Sequence, residues 1–269
     1  MIVLLLVWLG LCIGSFLNAF VWRWHESEYA KTTKRKDELS ISRGRSMCPN
    51  CSHSLSAADL VPVFSWLALR GKCRYCKKPI SVQYPLIEVL AAVAFVLSFL
   101  VWPYGFEAAG IVLFITWLVI LSGFVALSIY DFRWMLLPTK IVYTLLGILL
   151  AGMALYLFLS DSGPLQYALA GLSALIIGGL FYCLHMVSDG RWIGGGDVRL
   201  GYVLGLLVMS PVNAMLVIFL ASLLGTIYAL PYILRGRRNT HIPFGPFLML
   251  AATIVFLSGD KLGSLLLVQ

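Results

Sequence analysis

Charge is what this chain has least of. Only 12% of its 269 residues are charged, and acids are the scarcer sign, with 12 Asp and Glu against 20 Lys and Arg. Soluble domains carry about 25% charged and roughly 45–50% apolar residues. Here 60% are hydrophobic and the mean hydropathy is +0.91. So few charges cannot clothe a soluble core of this size, which excludes a soluble enzyme. The same composition excludes a disordered chain and a secreted disulfide scaffold. No basic residue precedes the first apolar run and no small-residue cleavage site follows it, so that run reads as an uncleaved anchor, not a signal peptide. No repeat with a period of 20–50 residues is visible. What remains is an integral membrane protein. Its net charge of +8 would suggest nucleic acid in a soluble protein. The basic residues instead cluster between apolar runs, so membrane orientation explains them and no nucleic acid partner is expected.

A spanning helix needs about 20 mostly apolar residues. Such runs lie near 2–22, 86–103, 108–130, 140–159, 166–187 and 212–234, with a shorter one at 243–258. A run from Val198 to Met209 is too short for an ordinary span and reads as a short or re-entrant helix packed inside protein. The expected fold is an all-α polytopic membrane protein of about eight transmembrane helices. With the loop after the first span set in the cytoplasm, 19 of the 20 Lys and Arg fall on the cytoplasmic side and only Lys261 falls outside. A wrong helix count would scramble that partition, so count and orientation support each other. Both termini then face away from the cytoplasm. The domains expected are a first transmembrane helix (1–22), a cytoplasmic zinc-binding loop (23–84) with a polar lead-in at 26–45, and a membrane-embedded domain of about seven helices (85–269).

Of six cysteines, Cys12 and Cys183 sit singly in apolar runs and read as small buried hydrophobes. The other four form two pairs, Cys48-x-x-Cys51 and Cys73-x-x-Cys76, with 21 residues between them. Two such knuckles supply four thiolates to one tetrahedral Zn²⁺. Four thiolates close the coordination sphere, so the metal is structural and His53 is a bystander. A reducing cytoplasm argues against disulfides. Basic neighbours (Arg45, Arg70, Lys72, Arg74, Lys77, Lys78) help to keep thiolates ionised. Zinc lets a loop of about 60 residues fold without a large core.

Among the twelve acids, Asp131 ends the third span in LSIYDFRWMLLP and Asp197 opens the short run in WIGGGDVRL. Two spans intervene, so both lie at the cytoplasmic boundary. Two carboxylates in a low-dielectric site share a proton, and such a pair can activate water and protonate a leaving amine. Gly194, Gly195 and Gly196 would allow close approach of backbone or substrate, and positive φ. A lone acid at a helix end is more often an interfacial charge or a cap, which is the reading given to Glu107, Asp161, Asp189 and Asp260. For Asp131 with Asp197 both readings stay open on the residues alone. Glu88, just inside the second span, is a weaker functional candidate. Arg133 and Arg199 each follow an acid by two residues and read as a salt-bridge partner or as inside-positive anchoring.

Four stretches carry a resemblance: GSFLNAFVWR at 14–23, CPNCSHSLSAADLVPVFSWLALRGKCRYCKKPISVQYPLIEVL at 48–90, the pair YDFRWMLLP and GGGDVRL, and IPFGPFL at 242–248. Together they resemble the bacterial type IV prepilin peptidases, GxGD aspartic leader peptidases that are often also N-methyltransferases. A GxGD motif alone would be weak, whereas a tetracysteine loop inside such a membrane protease is specific to that family. The resemblance implies that Asp131 and Asp197 are the catalytic pair and that Cys48, Cys51, Cys73 and Cys76 hold the zinc. It implies prepilin or pseudopilin substrates, with a short basic leader cut off at the cytoplasmic face of the bacterial inner membrane. It also implies methylation of the new N-terminus by S-adenosylmethionine, for which the sequence has no soluble nucleotide-binding fingerprint. Three departures stand out. Thr139 follows the proline where Asp is common, Trp192-Ile193 precede the GxGD segment where Glu or another polar residue is common, and Ala91-Ala92 replace Thr and Gly after Glu88. A non-enzymatic zinc adaptor of a pilus or type II secretion machine is the alternative. A transporter fits less well, because the acids lie at one face and no inverted repeat is evident.

Overall fold

The computed structural model describes residues 1–30, 37, 39–40, 44–235 and 242–259. Part of the lead-in expected at 26–45 (31–36, 38 and 41–43) lies outside the described residues, as do Arg237, Arg238, Asp260 and Lys261. Eight helices of 14 residues or more carry the described residues: α1 Ile2–Tyr29, α2 Gln83–Leu100, α3 Ala108–Trp134, α4 Thr139–Leu159, α5 Pro164–Val187, α6 Gly195–Val208, α7 Pro211–Leu234 and α8 Gly245–Ser258. Six of them, all but α6 and α8, are long and apolar enough to cross a membrane. The chain is therefore a multi-pass membrane protein, and no extended strand occurs among the described residues. The helices sit where the apolar runs put them. The main difference is α1, which continues past residue 22 to Tyr29, because its polar tail contains no residue that breaks a helix until the chain turns extended at Ala30.

Two compact units result, Met1–Leu100 and Val101–Gln269. In the first, α1 and α2 form an antiparallel hairpin with the cysteine loop between them. Their backbones touch. A Cβ on Gly10 would lie 2.4 Å from Ala92 Cα, and one on Gly14 would lie 2.7 Å from Glu88 Cα. One turn on, Asn18 Nδ2 donates to the carbonyl of Tyr84 at 3.2 Å. Each step of four along α1 is matched by four back along α2, the register of a straight antiparallel pair. Lipid gives two apolar helices no hydrophobic reason to meet, so contact of this kind rests on van der Waals packing through small residues.

In the second unit α6 is the hub. It packs on α4, α5, α7 and α8, and Leu200, Val203 and Leu204 are 0% exposed. At 14 residues it is about 21 Å long, short of a bilayer core of about 30 Å. α5 passes it through a π-turn at Leu175–Gly179, where Gly178 lies against the Tyr202 ring and a Cβ would meet Cδ1 at 2.5 Å. α3 and α8 lie antiparallel. Phe256, near the end of α8, packs on Trp117 at 4.8 Å between ring centroids, and the start of α8 reaches the last turn of α3, where Asp131 sits.

Candidate active site and metal centre

Asp131 lies in the last turn of α3. Met135 closes that helix in the left-handed conformation (φ 53°) and returns its N–H to the Asp131 carbonyl, leaving the side chain free to face inward, where it is 5% exposed. Gly245, the first residue of α8, donates its backbone N–H to the Asp131 carboxylate. It comes so close that a Cβ there would lie 2.7 Å from Asp131 Oδ2. Asp197 sits in the first turn of α6, half-buried, and accepts the backbone N–H of Gly194. The charge of Asp197 acts directly on Asp131. Two acids 66 positions apart are thus brought within electrostatic range of each other. Each is held by a backbone N–H from a glycine, which orients a carboxylate without adding a competing charge.

The three glycines before Asp197 serve unequally. Gly196 packs against the α3–α4 turn, where a Cβ would come within 3.0 Å of Leu137 Cβ; one on Gly194 would be 3.4 Å from Asp197 Oδ2, and one on Gly195 would meet nothing nearer than the His185 ring at 3.8 Å. Gly194 has φ −70° and none of the three has positive φ. Close approach is therefore the use of Gly196 alone, since a Cβ on Gly194 or Gly195 would make only ordinary contacts, and the conformational licence expected of the three is not exercised. The one glycine of that loop in the left-handed region is Gly190, at φ 74°.

Other groups hold the two acid-bearing segments in place. Arg199 donates to Thr139 Oγ1 at 2.7 Å, tying α6 to the first residue of α4. Of the two readings of Arg199, anchoring and salt bridge, the contact seen is a third, a charged hydrogen bond to a hydroxyl. The Thr139 departure thus still supplies an acceptor. His185 Nδ1 lies 2.8 Å from the Ile193 carbonyl. A carbonyl only accepts, so Nδ1 carries the proton. The buried Ser188 accepts the Trp192 N–H through its hydroxyl at 3.2 Å, and these two bonds brace the loop ahead of Asp197. Sequence reasoning missed Gly245 and His185. Gly245 stood in plain view inside IPFGPFL, but nothing in that string says which side chain it will touch. Exposed Asp189 forms a loose ion pair with Arg191 at 3.8 Å, in keeping with a surface role.

The four loop cysteines converge. Their Sγ atoms all lie within 4.8 Å of one another, and Cys48 and Cys76 are 3.9 Å apart. Tetrahedral thiolates about 2.3 Å from a metal would be about 3.8 Å apart, so the donor set fits such an ion, and none of the four is in a disulfide. The two knuckles share a design. Cys48 N–H bonds the His53 carbonyl and Ser52 N–H the Cys48 carbonyl; likewise Cys73 N–H bonds the Lys78 carbonyl and Lys77 N–H the Cys73 carbonyl. Ser52 and Lys77 occupy matching left-handed positions, at φ 57° and 58°. Burial pushes the Cys48 thiol up to about 11. At Cys73 burial also opposes ionisation, but the backbone N–H groups of Cys76 and Tyr75 outweigh it and bring the thiol down to about 7.

His53 stacks on Tyr75 at 3.7 Å between centroids and lies outside the ligand group. Asp59 ties the second knuckle to the turn at Ala57–Leu60. It accepts from Arg74 at 2.7 Å and from the Ser56 hydroxyl at 2.8 Å. Burial would raise its pKa, but the Arg74 and Ser56 hydrogen bonds hold it below the usual carboxylate value. Glu88 is 6% exposed and accepts the Val63 N–H at 2.6 Å, with Ser15 as a second partner. It fastens the loop to the α1–α2 hairpin.

Residues 8–102 match the bacterial peptidase A24 N-terminal domain, and residues 118–230 match the type IV leader peptidase family. The chain is 35% identical over 252 residues, 90% of its own length and 88% of the relative's, to a type 4 prepilin-like proteins leader peptide-processing enzyme of Escherichia coli O78:H11. It is 34% identical to a prepilin leader peptidase/N-methyltransferase of Pseudomonas aeruginosa, covering 97% of this chain and 91% of that one. With another so named from Stutzerimonas stutzeri it shares 31%, covering 94% and 90%. No solved structure matches it.

Proposed function

The chain belongs to the type IV leader peptidase family, and from that premise we propose that Asp131 and Asp197 are its catalytic dyad. The protein is an aspartic endopeptidase that removes the leader from prepilins, and it methylates the N-terminus so exposed. The observation that carries the dyad is the approach of these two carboxylates to within electrostatic range, each on a glycine N–H, where the ends of α3 and α6 both reach the start of α8.

One proton shared between two carboxylates suffices for peptide hydrolysis. The ionised member takes a proton from a water as that water attacks the scissile carbonyl. The protonated member stabilises the oxygen that gains charge, and a proton passes to the amine as the C–N bond breaks. Gly245 N–H keeps the Asp131 oxygens fixed through the cycle, so little reorganisation accompanies the transfer. The leader is short and basic, and the basic residues in the turns that bear the two acids, Arg133, Lys140, Arg191 and Arg199, support a cytoplasmic placement of those turns.

Cys48, Cys51, Cys73 and Cys76 would hold Zn²⁺, which would supply cross-linking of the loop. The methyl donor is S-adenosylmethionine. Buried atoms in the first unit that lack partners include an acceptor, Asn18 Oδ1, and a cationic donor, Arg23 Nη2. Five residues apart on one helix, they point about 140° away from each other. They do not fit a single bound donor molecule.

The test is a synthetic prepilin in proteoliposomes, with and without S-adenosylmethionine, read by mass spectrometry. Asp131→Asn and Asp197→Asn should each abolish cleavage while the protein still inserts. Normal cleavage by both variants overturns the dyad, and a product that never gains a methyl group overturns the second activity.

A further inference from the structure

The cysteine loop lies outside the spans, yet it bears large apolar side chains in the open. Leu60 is 42% exposed, Val61 37%, Phe64 60% and Leu67 57%. They belong to a 3₁₀ turn at Ala57–Leu60 and a one-turn helix at Phe64–Ala68. Phe64 and Leu67 share a face of that helix. The opposite side is pinned: Pro62 is buried, Trp66 Nε1 donates to the Ile80 carbonyl at 3.1 Å, and Gly71 packs beneath the Trp66 ring. A soluble surface seldom shows several large apolar side chains together unless something covers them.

We propose that residues 60–68 are seated in the bilayer interface, with Phe64 and Leu67 among the lipid chains. The covering partner is the phospholipid surface, because of the level at which this segment is tied. The Val63 N–H is bound to Glu88 Oε2 at 2.6 Å. Glu88 lies five residues into α2, about 7.5 Å along its axis from Gln83, and amphipathic segments sit about 5–10 Å into the headgroup boundary. The neighbouring residues of α2 that bracket Glu88 already face outward as a span must: Leu86 is 54% exposed and Leu90 50%. The loop's apolar patch therefore continues a lipid-facing surface. Exposed Arg70 and Lys72 follow the helix, placed for anionic headgroups, and the nearby acid Asp59 is occupied by Arg74. The cysteine centre would thus be moored to the membrane at two points, by α2 and by this step, and not hang from its two chain ends.

The test uses the full chain in vesicles of phosphatidylethanolamine and phosphatidylglycerol. A photoreactive benzoylphenylalanine replaces Phe64, Leu67 or, as a control on the exposed first knuckle, Asn50. At Phe64 one aromatic replaces another, and unchanged protease resistance of the loop checks that the fold is kept. After irradiation, phospholipid adducts at 64 and 67 should exceed those at 50 by about tenfold. Equal lipid yields at all three positions overturn the proposal. So does an adduct with a synthetic prepilin that replaces the lipid adduct at 64 and 67, which would make this face a substrate groove.

Discussion

Replacing Gly245 by alanine isolates the geometry of the dyad from everything else in the fold. The new Cβ would stand 2.7 Å from Asp131 Oδ2, against 3.4 Å for the nearest ordinary contact, so it must be relieved by about 0.7 Å of movement. The carboxylate is the softest atom group in that contact, and it is the group that must not move. Nothing else should suffer. Gly245 does not have positive φ, so alanine fits the backbone, and the N–H that bonds Asp131 remains. At the first position of α8 alanine is a better helix former than glycine by up to about 1 kcal/mol, so thermal stability should hold or rise. A displacement of about 1 Å in a reacting group can cost on the order of 100-fold in rate. We expect kcat for prepilin cleavage to fall about 10- to 100-fold, a barrier increase of about 1.4–2.7 kcal/mol, with KM little changed. The assay is steady-state cleavage in proteoliposomes beside a thermal melt of the same preparation. A variant with wild-type kcat and an intact melt would refute the claim that Gly245 positions Asp131.

Other substitutions probe the supports. Thr139→Val should remove the acceptor of Arg199 and cost about 1.5 kcal/mol in stability, whereas Thr139→Asp restores a partner; chemical denaturation of the two variants measures this. His185→Leu keeps the bulk but not the Nδ1 donor and should lower kcat, while His185→Asn, whose amide can reach the Ile193 carbonyl, should rescue most of it; equal loss in both would remove the hydrogen bond from the account. Gly10→Val drives a branched side chain into the backbone of Ala92 and should stop the α1–α2 hairpin from forming, seen as loss of the folded protein on expression. Stringent chelation, or Cys73→Ser, should open residues 45–80 to protease. Metal affinity should weaken steadily as pH falls, because every thiol must lose its proton to bind the ion; competition with a chromophoric chelator at a series of pH values would show it.

Helix positions were readable because a bilayer demands about 20 mostly apolar residues of a spanning helix, and apolar runs report that demand directly. The cysteine centre was readable because ligand spacing is local: each knuckle is set by six consecutive residues, and the two copies announce each other. The pairing of Asp131 with Asp197 was accessible at one remove, through counting crossings. What stayed hidden depends on which atoms meet across helices. Gly10 and Gly14, four apart, carried a usable signal for close helix packing that went unread. Gly245 had no such spacing. Its role is visible only once α8 is laid antiparallel on α3, and the same holds for His185, whose partner lies eight residues on but around a turn through Gly190. Arg199 had a partner that no charge rule would suggest, because Thr139 is neutral.

The brevity of α6 has a consequence for the lipid. Four neighbouring helices shield it, so bilayer thickness acts on their outward faces and not on α6 itself. A thicker or thinner membrane would tilt the outer helices while the depth of Asp197 stayed referenced to protein. Turnover should therefore vary little across vesicles of different acyl length, up to the point where the outer ring itself no longer fits.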